Sequence, residues 1–231
     1  MVKKIYEQKI GKAVPQWINK ERPSGESIQG KYCRLEHVDF IKHFEDLFQI
    51  YGPLSNPKNW TYLPFDKFTN ENDFREYLKS MSQSIDPLHF AIVNLETGKA
   101  LGTIALMRID STQGVIEVGY VIYSDGLKRT RIATEAQFLL ADYVFNNLGY
   151  RRYEWKCDSL NLPSITAALR LGFTFEGIFR QAMVYKGRNR DTAWLSIIDK
   201  EWPSRRIKLM SWLSEKNFDE DGKQKRSLNK F

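Results

Sequence analysis

The chain has 231 residues, 42% hydrophobic and 13% aromatic, enough for a sizeable core and too apolar for a disordered chain. No apolar run approaches the roughly 20 residues of a membrane span, and the charged start MVKKIYEQKI lacks the apolar segment of a secretory signal. The net charge of +7 permits nucleic acid, acidic proteins or anionic small molecules as partners, and two cysteines (Cys33, Cys157) without CxxC spacing fit a reducing, cytoplasmic setting with no structural zinc.

Residues 1–30 have weak periodicity and end in the turn-rich PSGESIQG, so they are expected to form an N-terminal arm lying across a domain that spans 31–214. Residues 31–36 read as a first strand. Residues 38–50 read as a helix with Phe40, Ile41, Phe44, Leu47 and Phe48 at helical spacing. Residues 51–64 hold three prolines and several large aromatics. They form either a loop pinned by aromatic packing or a wall of a specificity pocket. A second helix starts at Thr69 or Asn70 and runs to about Ser82, with Phe74, Tyr77, Leu78 and Met81 as its stripe. Three strands follow, at 89–95, 99–109 and 115–123, joined by short turns as an antiparallel meander.

The second half alternates between the two periods. A polar, basic loop at 124–131 leads into a helix at 132–149, with Ala136, Leu139, Leu140 and Tyr143 on one face and Gly149 at its end. Residues 150–157 alternate as a strand, with Tyr153, Trp155 and Cys157 on one face. Asn161 can cap a further helix with Pro163 in its first turn and Gly172 past its end. Segments 173–175, 178–185 and 191–198 complete the sheet, and 205–213 is a last helix. Residues 215–231 are expected to be a charged, mobile C-terminal tail. The fold class is α/β, a mixed, mostly antiparallel twisted sheet of about seven strands flanked by helices.

Lys128, Arg129 and Arg131 crowd the start of the helix that follows them. A helix N-terminus already carries partial positive charge and free N–H groups, so cations there are repelled unless an anion sits among them. A diphosphate would turn that repulsion into a site. The alternative is a solvated charge run on a loop.

The segment Lys128-Arg129-Thr130-Arg131-Ile132-Ala133, followed by Thr134-Glu135-Ala136, resembles the pyrophosphate loop of the GNAT (GCN5-related) N-acetyltransferase superfamily, Q/R-x-x-G-x-G/A. Ala133 fits the last position, while Lys128 stands at the first and Arg131 at the glycine. Asn161-x-x-Ser164, then seven residues to Gly172-Phe173, matches the family's next motif, and FEGIFRQ and GRNRDTAWLSI resemble the end of its RimJ/RimL-like branch. The resemblance spans roughly residues 32–202.

It implies the acyl-CoA N-acyltransferase fold, acetyl-CoA as co-substrate, no metal, and a small-molecule amine or a protein N-terminus as acceptor, with direct transfer in a ternary complex. Pantetheine is expected along Gly119–Tyr123, with backbone groups of Tyr120, Val121 and Ile122 near the thioester. The diphosphate is expected on Lys128, Arg129, Thr130, Arg131, Ile132, Ala133 and Thr134, and Asn161 and Ser164 on the carrier's other side. Glu117 is the candidate base, against an exposed or ion-paired strand residue. Ser164 is the candidate acid, against a serine that only caps its helix. The tyrosine many relatives carry as acid falls on Ala168, and Tyr185 could substitute. His37, His43 and His89 read as packing or surface residues, and Arg190 and Asp191 as structural before acceptor-lining. A catalytically silent CoA-binding module and a basic ribosome- or RNA-associated protein stay open as alternatives.

Overall fold

The structure is a computed structural model that describes residues 4–5 and 8–231. Strands β1 (Lys4–Ile5) and β2 (Gln8–Lys9) pair as a short antiparallel ribbon. The main sheet comprises β3 (Ile28–Gln29), β4 (Cys33–His37), β5 (Leu88–Asn94), β6 (Ala100–Asp110), β7 (Val115–Tyr123), β8 (Arg152–Asp158), β9 (Thr174–Tyr185) and β10 (Arg188–Ile198). Its order is β3-β4-β5-β6-β7-β8-β10-β9. The helices are α1 (Phe44–Tyr51), α2 (Glu71–Gln83), α3 (Arg131–Asp142, continued by a π turn through Asn147), α4 (Leu162–Leu171) and α5 (Trp202–Leu213).

Every ladder of the main sheet is antiparallel except β7–β8, whose parallel strands are joined through α3. A parallel pair needs such a crossover because its strand ends lie at opposite edges. One face of the sheet packs Ile104, Leu106, Val118, Tyr153 and Leu195 under α3, α4 and α5. The other face is covered by α1 and α2, which bury Phe44, Leu47, Phe74 and Leu78 against Ala91 and Val93.

Differences from the sequence reading have local causes. Helix α1 begins at Phe44 rather than near Val38. The Asp39 carboxylate accepts from the N–H groups of Ile41 and Lys42, and His43 Nδ1 accepts from Asp39 N–H, which makes a turn that competes with helix. The sheet has eight strands because the short β3 joins its edge, and β9 is one bulged strand rather than two pieces. The C-terminal segment expected to be mobile is packed. Phe218 and Leu228 are buried, Phe218 lies edge-on to Trp212 at 5.1 Å, and the Asn217 amide bonds Trp212 O, Arg226 O and Arg226 N–H. Two isolated apolar anchors in a charged run give no periodicity to read. The N-terminal arm crosses the β6–β7 turn, with Trp17 Nε1 donating to Thr112 O and Arg22 reaching Ile109 O and Asp86.

Candidate active site

The site begins where the two central strands part. β7 and β8 are in register only from Val115–Arg152 to Val118–Trp155. Beyond that, β8 continues alongside β10, pairing Lys156 with Trp194 and Asp158 with Thr192. Gly119–Tyr123 keep β6 on one side and, among the described residues, have no strand on the other. The result is a fork with an open backbone edge. A bulge against β6 lies between Gly119 and Ile122, and within it Tyr120 has φ +45°, a left-handed conformation that a tyrosine rarely adopts. The side chains of Val121 and Ile122 pack into the two cores, so only their backbone faces the fork. Gly119 is fixed by close approach, since a Cβ there would meet Met107 Sδ at 2.3 Å.

The loop after β7 carries the second element. Thr130 caps α3, its Oγ1 accepting from Ala133 N–H at 3.1 Å, and Arg129 has φ +63°. The N–H groups of Lys128, Arg129, Arg131 and Ile132 have no acceptor among the described residues. Free N–H groups around a helix N-terminus are the kind of arrangement that can receive an anion.

The three cations of this loop differ. Lys128 Nζ is held by Asp125 at 2.6 Å and Asn59 at 2.5 Å, and the Lys128 bond, then one donated by the Asn59 amide, keep the Asp125 carboxyl below its usual range. The Arg131 guanidinium is stacked between the rings of Tyr32 (3.7 Å) and Phe218 (4.4 Å). Arg129 has no side-chain partner among the described residues. The picture of three cations repelling one helix end is therefore corrected: two of them already have partners. Behind the loop a cleft of about 280 Å³ lies between Tyr32, Asn94, Arg131 and Gly222.

Glu135, which the sequence reading quoted without a role, ties this helix to the sheet. Its buried carboxylate accepts from the N–H groups of Lys31 (2.9 Å), Tyr32 (2.8 Å) and Cys33 (2.7 Å). Burial, then the charge of Glu135, push the Cys33 thiol well up, so it stays protonated. Thr134 is also buried, and its Oγ1 accepts from Arg170.

The far wall of the fork is β8 and the start of α4. Asn161 Oδ1 accepts from Ser164 N–H at 3.2 Å, the cap expected from the sequence, and Gly172 ends the helix at φ +100°. Ser164 Oγ accepts from Trp155 Nε1 at 3.0 Å. Ala168 is fully buried. Tyr185 donates to Asp158 at 2.9 Å, and burial, then Asp158, push its phenol up to about 12. Asp191 accepts from Gln181 N–H and Asn189 Nδ2, which braces the β9–β10 pair.

Glu117 lies on the face of β7 that α1 and α2 leave open, and its side chain is 4% exposed. Oε2 accepts from Arg108 at 2.6 Å and Lys156 at 2.9 Å. Lys156 is held in turn by Glu154 at 2.7 Å and sits 4.0 Å over the Trp194 ring. Glu117 is thus ion-paired through one oxygen. Oε1 has no hydrogen-bond partner among the described residues and faces Gly119. The aromatic loop spans the mouth of the fork. Asn59 meets Lys128, Tyr62 donates to Leu160 O, and Asp66 pairs with Lys186 of the β9–β10 turn.

A family model described as acetyltransferase (GNAT) domain matches residues 34–174. The crystal structure of a GCN5-related N-acetyltransferase from Brucella melitensis is similar with a TM-score of 0.91 and 44% identity, covering 94% of this chain and 98% of that one. An uncharacterized N-acetyltransferase, p20, of Bacillus licheniformis is 30% identical over 151 residues, 64% of this chain and 84% of that protein. The microcin C7 self-immunity acetyltransferase MccE, solved with acetyl-CoA and AMP, shares the fold with a TM-score of 0.63 at 22% identity, covering 73% of this chain and 93% of that one.

Proposed function

Since the chain belongs to the GNAT acetyltransferase family, an acyltransferase family, we propose that it moves an acetyl group from acetyl-CoA to a primary amine by direct transfer. The observation that carries this reading is the adjacency of two features: an open strand edge at Gly119–Tyr123 and, five residues on, a cradle of four free N–H groups. In coenzyme A the pantetheine arm, which carries two amides, is joined to a diphosphate. It can pair along such an edge while its diphosphate rests on such a cradle. The N–H groups of 128, 129, 131 and 132 would hold the diphosphate, with Arg129 adding charge.

In the transfer, the amine lone pair attacks the thioester carbon, the C–N bond forms, and the C–S bond breaks with its electron pair left on sulfur. The amine must lose a proton and the thiolate must gain a hydrogen-bond donor or a proton. Backbone N–H groups of the open edge would face the thioester oxygen. Glu117 takes the amine proton through Oε1, directly or by a water, while Arg108 and Lys156 fix its other oxygen. Ser164 serves the leaving sulfur from α4. A thiol is a good leaving group, so positioning carries much of the rate.

The acceptor is a small-molecule amine or a protein N-terminus, and the RimJ/RimL-like branch assignment rests on the resemblance of FEGIFRQ (175–181) and GRNRDTAWLSI (187–197). The test is a panel of amines and short peptides with acetyl-CoA, read by thiol release. Acceptor-dependent release that falls at least tenfold in Glu117→Gln with coenzyme affinity kept supports the reading. Tight coenzyme binding with no release from any acceptor favours a silent binding module. Wild-type rates in Glu117→Gln near neutral pH remove Glu117 as the base.

A further inference from the structure

Trp155 and Ser164 meet at the apex of the fork. Val118–Trp155 is the last pair before β7 and β8 part, and Trp155 is buried with its ring edge-on to Phe173 at 5.5 Å. The indole is therefore fixed. Its N–H is a donor with no acceptor capacity, so in the 3.0 Å contact Ser164 Oγ is the acceptor. The serine's own hydrogen must go elsewhere.

In a helix's first turn a serine usually donates to the carbonyl three or four residues back. Here both are already taken. Asn161 O accepts from Ser164 N–H and Ile165 N–H, and Leu160 O accepts from Leu162 N–H and the Tyr62 hydroxyl. A carbonyl has two lone pairs, so neither has room for a third donor. Cys157 stands on the same face of β8, one pleat further into the fork.

We infer that Trp155 is a positioning residue: by occupying one face of Ser164 Oγ it aims the serine O–H into the fork, at the sulfur of the bound coenzyme. The inference rests on the acetyl-CoA reading above. When the thioester C–S bond breaks, its electron pair stays on sulfur and the thiolate accepts the Ser164 O–H.

The test uses coenzyme A itself and needs no acceptor. The ultraviolet absorbance of the bound thiolate is titrated against pH in the full chain, in Ser164→Ala, and in a protein with benzothienylalanine at 155, which keeps the indole's shape but replaces N–H by sulfur. Trp155→Phe is run beside them. Glu117, Cys157, Asp158 and Arg190 also lie around the fork and are common to all four proteins.

Loss of the hydrogen bond to the charged thiolate predicts that Ser164→Ala raises the thiol midpoint by roughly one to two pH units. The analogue should raise it by at least half as much, and adding Ser164→Ala to the analogue should do little more. Coenzyme affinity measured below the midpoint should stay within about threefold. A shift in Ser164→Ala with none in the analogue overturns the positioning role. No shift in either overturns the serine's role too. Absence of coenzyme binding by the unaltered chain overturns the acetyl-CoA reading itself, a distinct failure.

Discussion

Glu135→Ala should destabilise the protein by about 3 kcal/mol. Three backbone N–H groups depend on this carboxylate. They are not equally exposed: Cys33 is fully buried, Tyr32 partly, and Lys31 lies at the surface. A buried N–H left without a partner costs about 1–3 kcal/mol, and one that water can reach costs close to nothing. The Cys33 and Tyr32 groups therefore supply nearly all of the loss. Glu135→Gln separates charge from geometry. Oε2 serves Tyr32 and Cys33 and Oε1 only Lys31. An amide oxygen placed at Oε2 keeps the two costly bonds, and the expected loss falls to about 1 kcal/mol. Urea unfolding at neutral pH, followed by circular dichroism, measures both. A loss below about 1 kcal/mol in the alanine variant, or equal losses in both, would refute the reasoning. The same carboxylate fixes the first turn of α3 against β4, so the alanine variant should also bind acetyl-CoA more weakly.

Arg129→Glu should weaken acetyl-CoA binding at least tenfold with stability within about 0.5 kcal/mol of the parent, because its side chain has no partner among the described residues to lose; calorimetry and urea unfolding check the two halves. Truncation after Ser214 removes Phe218 and Leu228, uncovers Trp212 and takes one ring off Arg131; burial of two such side chains predicts a loss of about 3–5 kcal/mol in the same assay. His89 is buried and burial holds its imidazole down, at about 4. The folded chain thus binds fewer protons than the unfolded one between roughly pH 6.5 and 4. Stability should be flat above that window and fall through it by up to about 3 kcal/mol, and His89→Asn should flatten this limb if it folds as well. An unchanged acid limb in that variant would remove His89 as its source.

Legibility followed the range of each interaction. The Asn161 cap and the Gly172 stop could be read because both are settled within a few residues, and strand β7 because its β-branched and aromatic run is bounded by turns. A Cβ at Gly172 would also meet Arg205 Cδ at 2.8 Å, a contact that reinforces what the local signal already gave. The cluster 128–131 was legible as cations at a helix start but not in division of labour. Whether Lys128 binds Asn59 or Arg131 stacks on Phe218 depends on segments about seventy and ninety positions away.

Other features had no local signal at all. The fork is a disagreement between two strand pairings, which periodicity cannot express. The state of Glu117 depends on Arg108 and Lys156 from the strands on either side. Glu135, which ties α3 to the sheet, appeared in the sequence only as the middle of a matching triplet. Its donors were hidden because backbone N–H groups carry no letter.

The most direct test of the account is calorimetric titration of acetyl-CoA into the full chain and into Arg129→Glu. The account predicts one site per chain with micromolar affinity, weakened at least tenfold by the charge reversal while unfolding stays unchanged. A folded parent protein that gives no binding heat, or equal affinity in the two, would contradict the assignment of the open β7 edge and the α3 cradle as the coenzyme site.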